Sequence, residues 1–325
     1  LSMALLIIYI TMQLDNEGVK GSDLAAQLTM FMLFINMMYR PIRLLADRFN
    51  VLQMGMVGSS RVFKVLDTNE QIENKAEVVE NKFEGDIVFK DVWFAYNEPN
   101  FVLKGINFSL SPGETIALVG ATGAGKSSII NLLSRFYEYQ KGEIIIDGDE
   151  LRHIDIDLIR NNVAVVLQDV FLYSDTVLNN ITLGDTSISR EKVIEAAKQV
   201  SAHEFIMSLP NNYDFVVGER GGMLSVGQRQ LISFIRAYVY NPRILILDEA
   251  TSSVDTESEE MIQIAIEKLT EGRTSIIIAH RLSTISAADK IIVMDQGEII
   301  ESGSHQELLR YNGPYKKLYD IQYKK

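Results

Sequence analysis

The sequence contains no cysteine and no surplus of positive charge. The absence of cysteine excludes disulfide bonds and thiolate metal sites, and it removes the usual clue to the redox compartment. Acidic side chains number 43 against 31 lysines and arginines, which leaves a formal net charge of -12. This balance argues against a nucleic-acid partner that is recognised through overall positive charge, and we expect none.

Apolar runs of the roughly 20 residues that a membrane-spanning helix needs are also missing. Two shorter apolar runs, at 1–12 and 24–39, flank a polar loop. The first begins at Leu1 without a methionine or a basic segment, so it does not resemble a signal peptide. We expect residues 1–12 to be the end of a preceding membrane helix, in a sequence that is a fragment.

A helical pattern of apolar residues continues from the second run past Arg40 and Pro41. The pattern predicts one long helix over 24–66 with a kink near Pro41, because proline interrupts the backbone hydrogen bonding of a helix. The first part of this helix is expected to lie in lipid or to line a cavity. The alternative, which the apolar lengths allow, is a pair of amphipathic helices in a soluble bundle.

A glycine-rich segment connects an apolar strand pattern at 115–119 with an apolar helix pattern, and its G-x-x-x-x-G-K-[ST] spacing is that of a phosphate-binding loop. Its residues are Gly120, Ala121, Thr122, Gly123, Ala124, Gly125, Lys126, Ser127 and Ser128. Successive backbone N–H groups and the helix N-terminus attract an anion, Lys126 can reach terminal phosphates, and Ser127 can ligate Mg²⁺. The alternative, a glycine-rich turn without a ligand, is disfavoured because strand, glycines, Lys-Ser and helix occur together.

Polar side chains also follow other predicted strands. Asp248 and Glu249 come directly after the apolar strand pattern at 244–247. Ligands of α/β sheets bind at this end of the strands, so Asp248 suits Mg²⁺ and Glu249 suits a general base for an attacking water. Gln168 and His280 end strands as well, where the amide could bridge Mg²⁺ and water and the imidazole could donate to a γ-phosphate.

From residue 83 onward, short apolar strand patterns alternate with helix patterns, which indicates an α/β domain with a mostly parallel sheet. One helix is predicted over 190–209. Ser304 and Glu307 have the capping-box spacing of a helix start. The polar, acidic stretch at 67–82 is predicted to be a linker between two domains.

These motifs, in this order, resemble the ATP-binding cassette of an ABC transporter of the exporter type, with similarity to bacterial lipid A and multidrug half-transporters. The resemblance covers residues 83–325. Residues 1–66 resemble, less specifically, the end of the fifth and all of the sixth transmembrane helix. The implied fold class is α/β: a P-loop NTPase with a RecA-like core, an antiparallel β subdomain and an α-helical signature subdomain, preceded by a partial all-α transmembrane segment.

The resemblance implies ATP and Mg²⁺ as ligands and gives roles to further residues. Tyr96 would stack on adenine, Gln168 would link the γ-phosphate site to the membrane domain, and His280 would be the switch histidine. The implied catalytic residues are Lys126, Gln168, Glu249 and His280, and the implied ligands of Mg²⁺ are Ser127, Gln168 and Asp248.

The segment Leu224-Ser225-Val226-Gly227-Gln228 resembles the signature of the family. Ser225, Gly227 and Gln228 would face the ATP that a second subunit holds. Valine at 226 departs from the usual glycine; because Ser225 and Gly227 are retained, the site is expected to function, and altered geometry is the open alternative. Residues 253–255 would form the D-loop.

According to the family architecture, the signature and the phosphate loop of one cassette cannot touch the same ATP. The resemblance therefore implies two cassettes that sandwich two nucleotides head to tail. Glu249 favours a homodimer, with a related half-transporter as the other possible partner. We expect a multi-pass protein of the cell membrane, in contact with lipid, whose cytoplasmic cassette hydrolyses ATP to export a lipid, drug or peptide.

Two alternatives come from other functional classes. A soluble cassette ATPase of the repair or translation type is disfavoured by the apolar helices and by a single cassette. It is also disfavoured because only about a hundred residues, without heptads, separate the phosphate loop from the signature. An adaptor that binds ATP as a regulatory switch, without turnover, is disfavoured by Glu249.

Overall fold

The computed structural model describes residues 4–5, 7–9, 12, 21–68, 72–74, 76–78, 83–249, 256–279 and 281–322. The chain divides into two compact units, Leu1–Gln71 and Ile72–Lys325. The described part of the first unit is dominated by one helix of 47 residues, α1 (Gly21–Asp67).

The prediction of one long helix over 24–66 is confirmed, and Pro41 lies inside α1. Thr29 and Asn36 each donate a hydrogen bond to the backbone carbonyl four residues earlier, which satisfies polar groups within an apolar stretch. Most large apolar side chains of α1 are exposed. None of the helices in the described ranges combines the length and the hydropathy of a membrane span.

The second unit contains the strands and the remaining helices. Its strands are β1 (Ile87–Phe94), β2 (Leu103–Leu110), β3 (Thr115–Val119), β4 (Lys141–Ile146), β5 (Asp149–Glu150), β6 (Val163–Val166), β7 (Ile244–Asp248), β8 (Thr274–Ile278), β9 (Lys290–Asp295) and β10 (Glu298–Gly303). Its helices are α2 (Lys126–Leu133), α3 (Ile156–Asn162), α4 (Val177–Thr182), α5 (Arg190–Gln199), α6 (His203–Met207), α7 (Val226–Tyr240), α8 (Thr256–Thr270), α9 (Leu282–Ala287), α10 (His305–Arg310) and α11 (Pro314–Gln322).

Six strands form a mostly parallel sheet in the order β10-β9-β3-β8-β7-β6, in which β10 runs antiparallel to β9. Four strands form an antiparallel sheet in the order β2-β1-β4-β5. The predicted α/β class is confirmed. Because β3, β8, β7 and β6 are parallel neighbours, the residues that follow them lie along one edge of the sheet.

Successive residues of the central strands face two different cores. In β3, Ile116 and Leu118 pack into the core shared with the antiparallel sheet, whereas Ala117 and Val119 pack into the core on the helical side. Strands that are buried on both faces need apolar residues at nearly every position. This requirement explains why β3 is recognisable in the sequence as a continuous apolar run. The glycine-rich segment begins directly after the last residue of that run, Val119.

The predicted single helix over 190–209 is wrong, because α5 and α6 take its place. Ser201, between them, has a left-handed backbone conformation with φ 57°, through which an α-helix cannot continue. The apolar pattern nevertheless runs across the break, since Val200 and Ala202 are both buried in the core on the helical side. The apolar periodicity therefore predicted correctly which residues are buried, but it did not predict the turn at Ser201.

Candidate functional site

The glycine-rich segment forms a tight loop after β3, and two of its glycines lie where no side chain fits. A Cβ atom on Gly120 would lie 2.2 Å from the carbonyl oxygen of Met294. A Cβ atom on Gly125 would lie 2.7 Å from Cδ2 of Leu103. At Gly120 the close atom is backbone, and at Gly125 the φ of +103° adds backbone strain to the crowding, so this path of the loop favours glycine at both positions.

The middle of the loop is exposed, and helix α2 begins at the end of the loop. Ala121, Thr122 and Gly123 are exposed, whereas Ala124 is buried. Gly125 is the N-cap of α2, with φ 103° and no side-chain capping hydrogen bond. Because no side chain caps this helix, its first backbone N–H groups remain suited to an anion.

Lys126 begins α2 and folds back over the loop. Its Nζ donates to the carbonyl oxygen of Gly120 at 2.7 Å and to that of Ala121 at 3.0 Å. Burial lowers the pKa of the Lys126 ammonium, and the carboxylate of Asp248 partly offsets this effect by raising that pKa. The next side chain, Ser127, is exposed. A buried cation and an accessible hydroxyl thus stand together at the start of α2.

The acidic pair lies at the end of β7, which β8 separates from β3. Glu249 is only 2% exposed, and its Oε1 accepts a hydrogen bond from Oγ1 of Thr284 at 3.0 Å. The same oxygen lies 3.4 Å from Nε of Arg281. Nη1 of Arg281 lies 3.4 Å from Oε1 of the exposed Glu259. A hydroxyl and a guanidinium therefore hold the Glu249 carboxylate in a buried position.

Of the other two residues predicted at strand ends, only Gln168 is among the described residues. Gln168 lies in an exposed bend two residues after β6, and no hydrogen bond joins it to the described residues of the loop. His280 lies outside the described residues, and so do residues 253–255.

Tyr96 follows β1 and contacts the helix that begins at the phosphate loop. Its hydroxyl accepts a hydrogen bond from Nδ2 of Asn131 at 2.8 Å and lies 3.2 Å from Oγ of Ser128. Its ring meets that of Tyr137 edge-on, with centroids 4.9 Å apart and planes at 89°. The predicted aromatic residue is thus joined directly to α2.

The predicted signature lies at the start of α7. Ser225 is its N-cap: the Ser225 Oγ accepts from the backbone N–H of Gln228 at 3.2 Å, and Oε1 of Gln228 accepts from the backbone N–H of Ser225 at 2.9 Å. Gly227 is buried. Val226 is the first helical residue, so valine at this position meets no left-handed strain. Among the described residues, no hydrogen bond or ion pair joins this turn to the phosphate loop of the same chain.

Four residues in contact with these groups were not predicted from the sequence: Asn131, Tyr137, Arg281 and Thr284. Their contacts depend on tertiary packing, as for Thr284 and Glu249, which are 35 positions apart. The capping box at Ser225 was also missed, although its S-x-x-Q spacing is a readable signal.

Residues 103–252 match the family model described as ABC transporter. This chain carries an ABC transporter domain. An ATP-dependent lipid A-core flippase from Syntrophus aciditrophicus (strain SB) is 43% identical over 309 residues, which are 95% of this chain and 51% of the flippase. The "Probable multidrug resistance ABC transporter ATP-binding/permease protein YheH" of Bacillus subtilis (strain 168) is 44% identical over 292 residues, or 90% of this chain and 43% of that protein.

A solved structure of a bacterial Atm1-family ABC exporter with ATP bound matches with a TM-score of 0.75 and 36% identity, over 91% of this chain and 52% of the other. The chain thus spans about half the length of these relatives. The matched segment is an ABC transporter ATP-binding domain, and the relatives that it resembles are named as a flippase, a permease and an exporter. The alternative of a soluble repair- or translation-type ATPase is therefore wrong.

Proposed function

We propose that this chain is the ATP-hydrolysing part of an ABC exporter and that two copies act as a pair. The proposal is carried by the phosphate loop, where an uncapped helix N-terminus adjoins the buried Lys126. Backbone N–H groups and a lysine in this arrangement suit the terminal phosphates of ATP. The names of the relatives, a flippase, a permease and an exporter with ATP bound, support the same conclusion.

The oxygen donors that the sequence predicts as ligands suit a magnesium ion that is shared with phosphates. Ser127 offers a hydroxyl, Asp248 a carboxylate and Gln168 an amide oxygen, all of which are hard ligands. In the described part of the chain, no three acidic or histidine side chains form a cluster that could hold a metal alone. Mg²⁺ usually takes few protein ligands and completes its shell with phosphate oxygens and water. Once bound, it neutralises charge on the phosphates.

Glu249 is the proposed general base. Water attacks the γ-phosphorus, the bond to the bridging oxygen of ADP breaks, and the proton of the water passes to the Glu249 carboxylate. Thr284 and Arg281 hold that carboxylate in one orientation. Lys126 and, as predicted from the sequence, His280 stabilise the charge on the transferred phosphoryl group.

Each site is proposed to be completed by the second copy. The signature turn has no hydrogen bond or ion pair to the phosphate loop of its own chain among the described residues. In a head-to-tail pair related by a two-fold axis, Ser225 and Gly227 of each copy would reach the nucleotide of the other copy. Both copies would then use the same surface, which makes the interface isologous. One chain contains the proposed base, Glu249, as well as Ser225 and Gly227 of the signature. Two identical copies could therefore form two sites that hydrolyse ATP.

The proposed activity is export of a lipid, drug or peptide across the cell membrane, with the cassette in the cytoplasm of a multi-pass protein. The helix α1 would belong to the membrane domain and carry the motion of the cassettes into it. Its exposed apolar side chains form a surface that needs a covering partner, which membrane lipid or further helices would supply.

Steady-state phosphate release by the Glu249→Gln variant tests the proposal. Glutamine keeps the size of the side chain but cannot accept the proton, so we expect turnover to fall at least about a hundredfold while ATP still binds. Glu259→Gln is the matched control, because Glu259 contacts the same arginine from an exposed position. Undiminished turnover in Glu249→Gln would reject Glu249 as the base, and no turnover in the unmodified chain would favour the adaptor.

A further inference from the structure

We propose that Asn131 and Tyr137 position Tyr96 as a preset platform for the base of the nucleotide. Base recognition and phosphate recognition would then belong to one rigid unit, because Asn131 lies on the helix that starts at the phosphate loop. The inference rests on the proposed function, in which Tyr96 stacks on adenine. It adds two positioning residues that set where the stacking ring lies.

The hydroxyl of Tyr96 is fixed from α2. Asn131 Nδ2 donates to the phenol oxygen at 2.8 Å, which leaves the phenol proton free to donate to Oγ of Ser128 at 3.2 Å. Ser128 and Asn131 are three residues apart, a spacing that places both on one face of a helix. Ser128 is 4% exposed, so this end of the ring is anchored inside the domain.

The ring of Tyr96 is fixed by two other aromatic rings. Tyr137 meets it at 89° with a centroid distance of 4.9 Å, and Phe94 meets it at 76° and 4.7 Å. Phe94 and Tyr137 also contact each other, with centroids 5.8 Å apart. Phe94 is buried, whereas Tyr96 and Tyr137 are both exposed. A buried ring thus supports two exposed ones in edge-to-face pairs, a favoured arrangement of aromatic side chains.

This arrangement lowers the cost of binding a base. An exposed tyrosine normally loses rotamer freedom when a ligand stacks on it, and a ring that is already fixed loses less. The benefit concerns only ligands that carry a base. Inorganic tripolyphosphate, which presents the phosphates alone, should bind with the same affinity whether or not Tyr96 is held in place.

Equilibrium binding of ATP and of tripolyphosphate to the full 325-residue chain tests the inference. Tyr137→Leu removes the ring contacts of Tyr137 with Tyr96 and Phe94, and Asn131→Leu removes a hydrogen bond while it keeps a similar volume. We expect each variant to weaken ATP binding by about three- to tenfold and to leave tripolyphosphate binding within about twofold. Tyr137→Phe, which keeps the ring, should bind ATP as the unmodified chain does.

Two further variants sharpen the test. Tyr96→Phe removes the hydroxyl that Asn131 holds, so its effect on ATP binding should not add to that of Asn131→Leu. Tyr173→Leu is the matched control, because Tyr173 is an exposed tyrosine in another edge-to-face pair, with Phe171 at 5.2 Å and 88°. It should leave the binding of both ligands unchanged.

The inference is overturned if Tyr137→Leu and Asn131→Leu bind ATP normally, or if they weaken ATP and tripolyphosphate equally. Tyr96→Ala separates this failure from failure of the proposed function. If Tyr96→Ala weakens ATP selectively while the two Leu variants do not, the stacking role stands and the positioning role falls. If Tyr96→Ala also has no selective effect, the stacking role itself is wrong.

Discussion

The phosphate loop precedes helix α2 and the signature turn precedes helix α7. The two helices differ in whether a side chain caps the backbone N–H groups of the first turn. The N-cap of α2 is Gly125, in a left-handed conformation and without a side-chain cap. The N-cap of α7 is Ser225, which forms a complete capping box with Gln228. The first arrangement leaves donors for an external anion, whereas the second satisfies its own donors internally.

The difference indicates separate tasks for the two turns. The phosphate loop leaves backbone donors that suit an anion, and in the proposed function one chain supplies this site alone. The signature turn is a prefolded element whose Ser225 hydroxyl still has a proton to donate, although its oxygen accepts from Gln228. It is therefore suited to be presented to a nucleotide that is already bound elsewhere.

The largest effect is expected when α2 receives the cap that it lacks. In Gly125→Ser, the added Cβ would lie 2.7 Å from Leu103 Cδ2, in a backbone conformation that favours glycine. We expect ATP binding to fall at least about a hundredfold and the domain to lose roughly 1–3 kcal/mol of stability. Gly113→Ser is the control, since Gly113 has φ +80° with nothing within 4 Å of an added Cβ. Normal ATP binding by Gly125→Ser would contradict the anion site.

The next effect concerns the cation of the phosphate loop. Lys126→Met removes the charge while it keeps the length of the side chain, so ATP binding measured by calorimetry should weaken by more than about tenfold. The folded chain should change little in stability, because the variant loses the hydrogen bonds of Lys126 to Gly120 and Ala121 but also the cost of burying a charge, which lowers the Lys126 pKa. The buried Lys126 ammonium lowers the free energy of unfolding by its full amount at neutral pH. This destabilisation becomes smaller as the pH rises toward the ordinary lysine pKa. Any stability gain of the variant should therefore shrink at alkaline pH.

A smaller effect is expected at the signature. Ser225→Ala breaks the capping box and should cost about 1 kcal/mol of stability. It also removes the hydroxyl proposed to reach the partner's nucleotide, so turnover should fall about tenfold. Ser304→Ala breaks a second capping box, at α10, and should lower thermal stability in a similar way. If both variants kept full turnover, the signature hydroxyl would have no role.

The smallest effect is expected at the residue that departs from the family pattern. Val226 has a helical backbone, so Val226→Gly should change stability by no more than about 1 kcal/mol. Turnover should change less than about fivefold, the factor to which an energy difference of about 1 kcal/mol corresponds. A large gain in turnover would show that valine alters the geometry of the signature, as the sequence alone suggested.

The sequence sufficed for the elements whose residue types are dictated by one physical requirement. The strand β3 is apolar because both of its faces are buried, and the loop after it is glycine-rich because Gly120 and Gly125 have no room for a side chain. Such constraints act on consecutive residues, so they are visible without the fold. The order of loop, acidic pair and parallel strands could be predicted for the same reason.

The remaining features depend on which segments meet in space. The turn at Ser201 divides a continuous helical pattern, and only the backbone reveals it. Thr284 and Arg281, which contact Glu249, and Asn131, which contacts Tyr96, belong to no sequence motif. The role of His280 as a donor to the γ-phosphate stays a prediction, because His280 lies outside the described residues.

The account depends most on the exchange of signature turns between two copies, and cross-linking tests this exchange directly. The chain has no cysteine, so single cysteines can be placed without background. In the Glu249→Gln form, one preparation carries Thr122→Cys on the exposed rim of the phosphate loop and the other carries Val226→Cys. A disulfide forms only when the two Cα atoms approach to within about 7 Å. The account predicts a mixed disulfide dimer when the preparations are combined with ATP and Mg²⁺, and far less without them. Chains that stay monomeric with nucleotide, or that cross-link equally without it, would contradict the account.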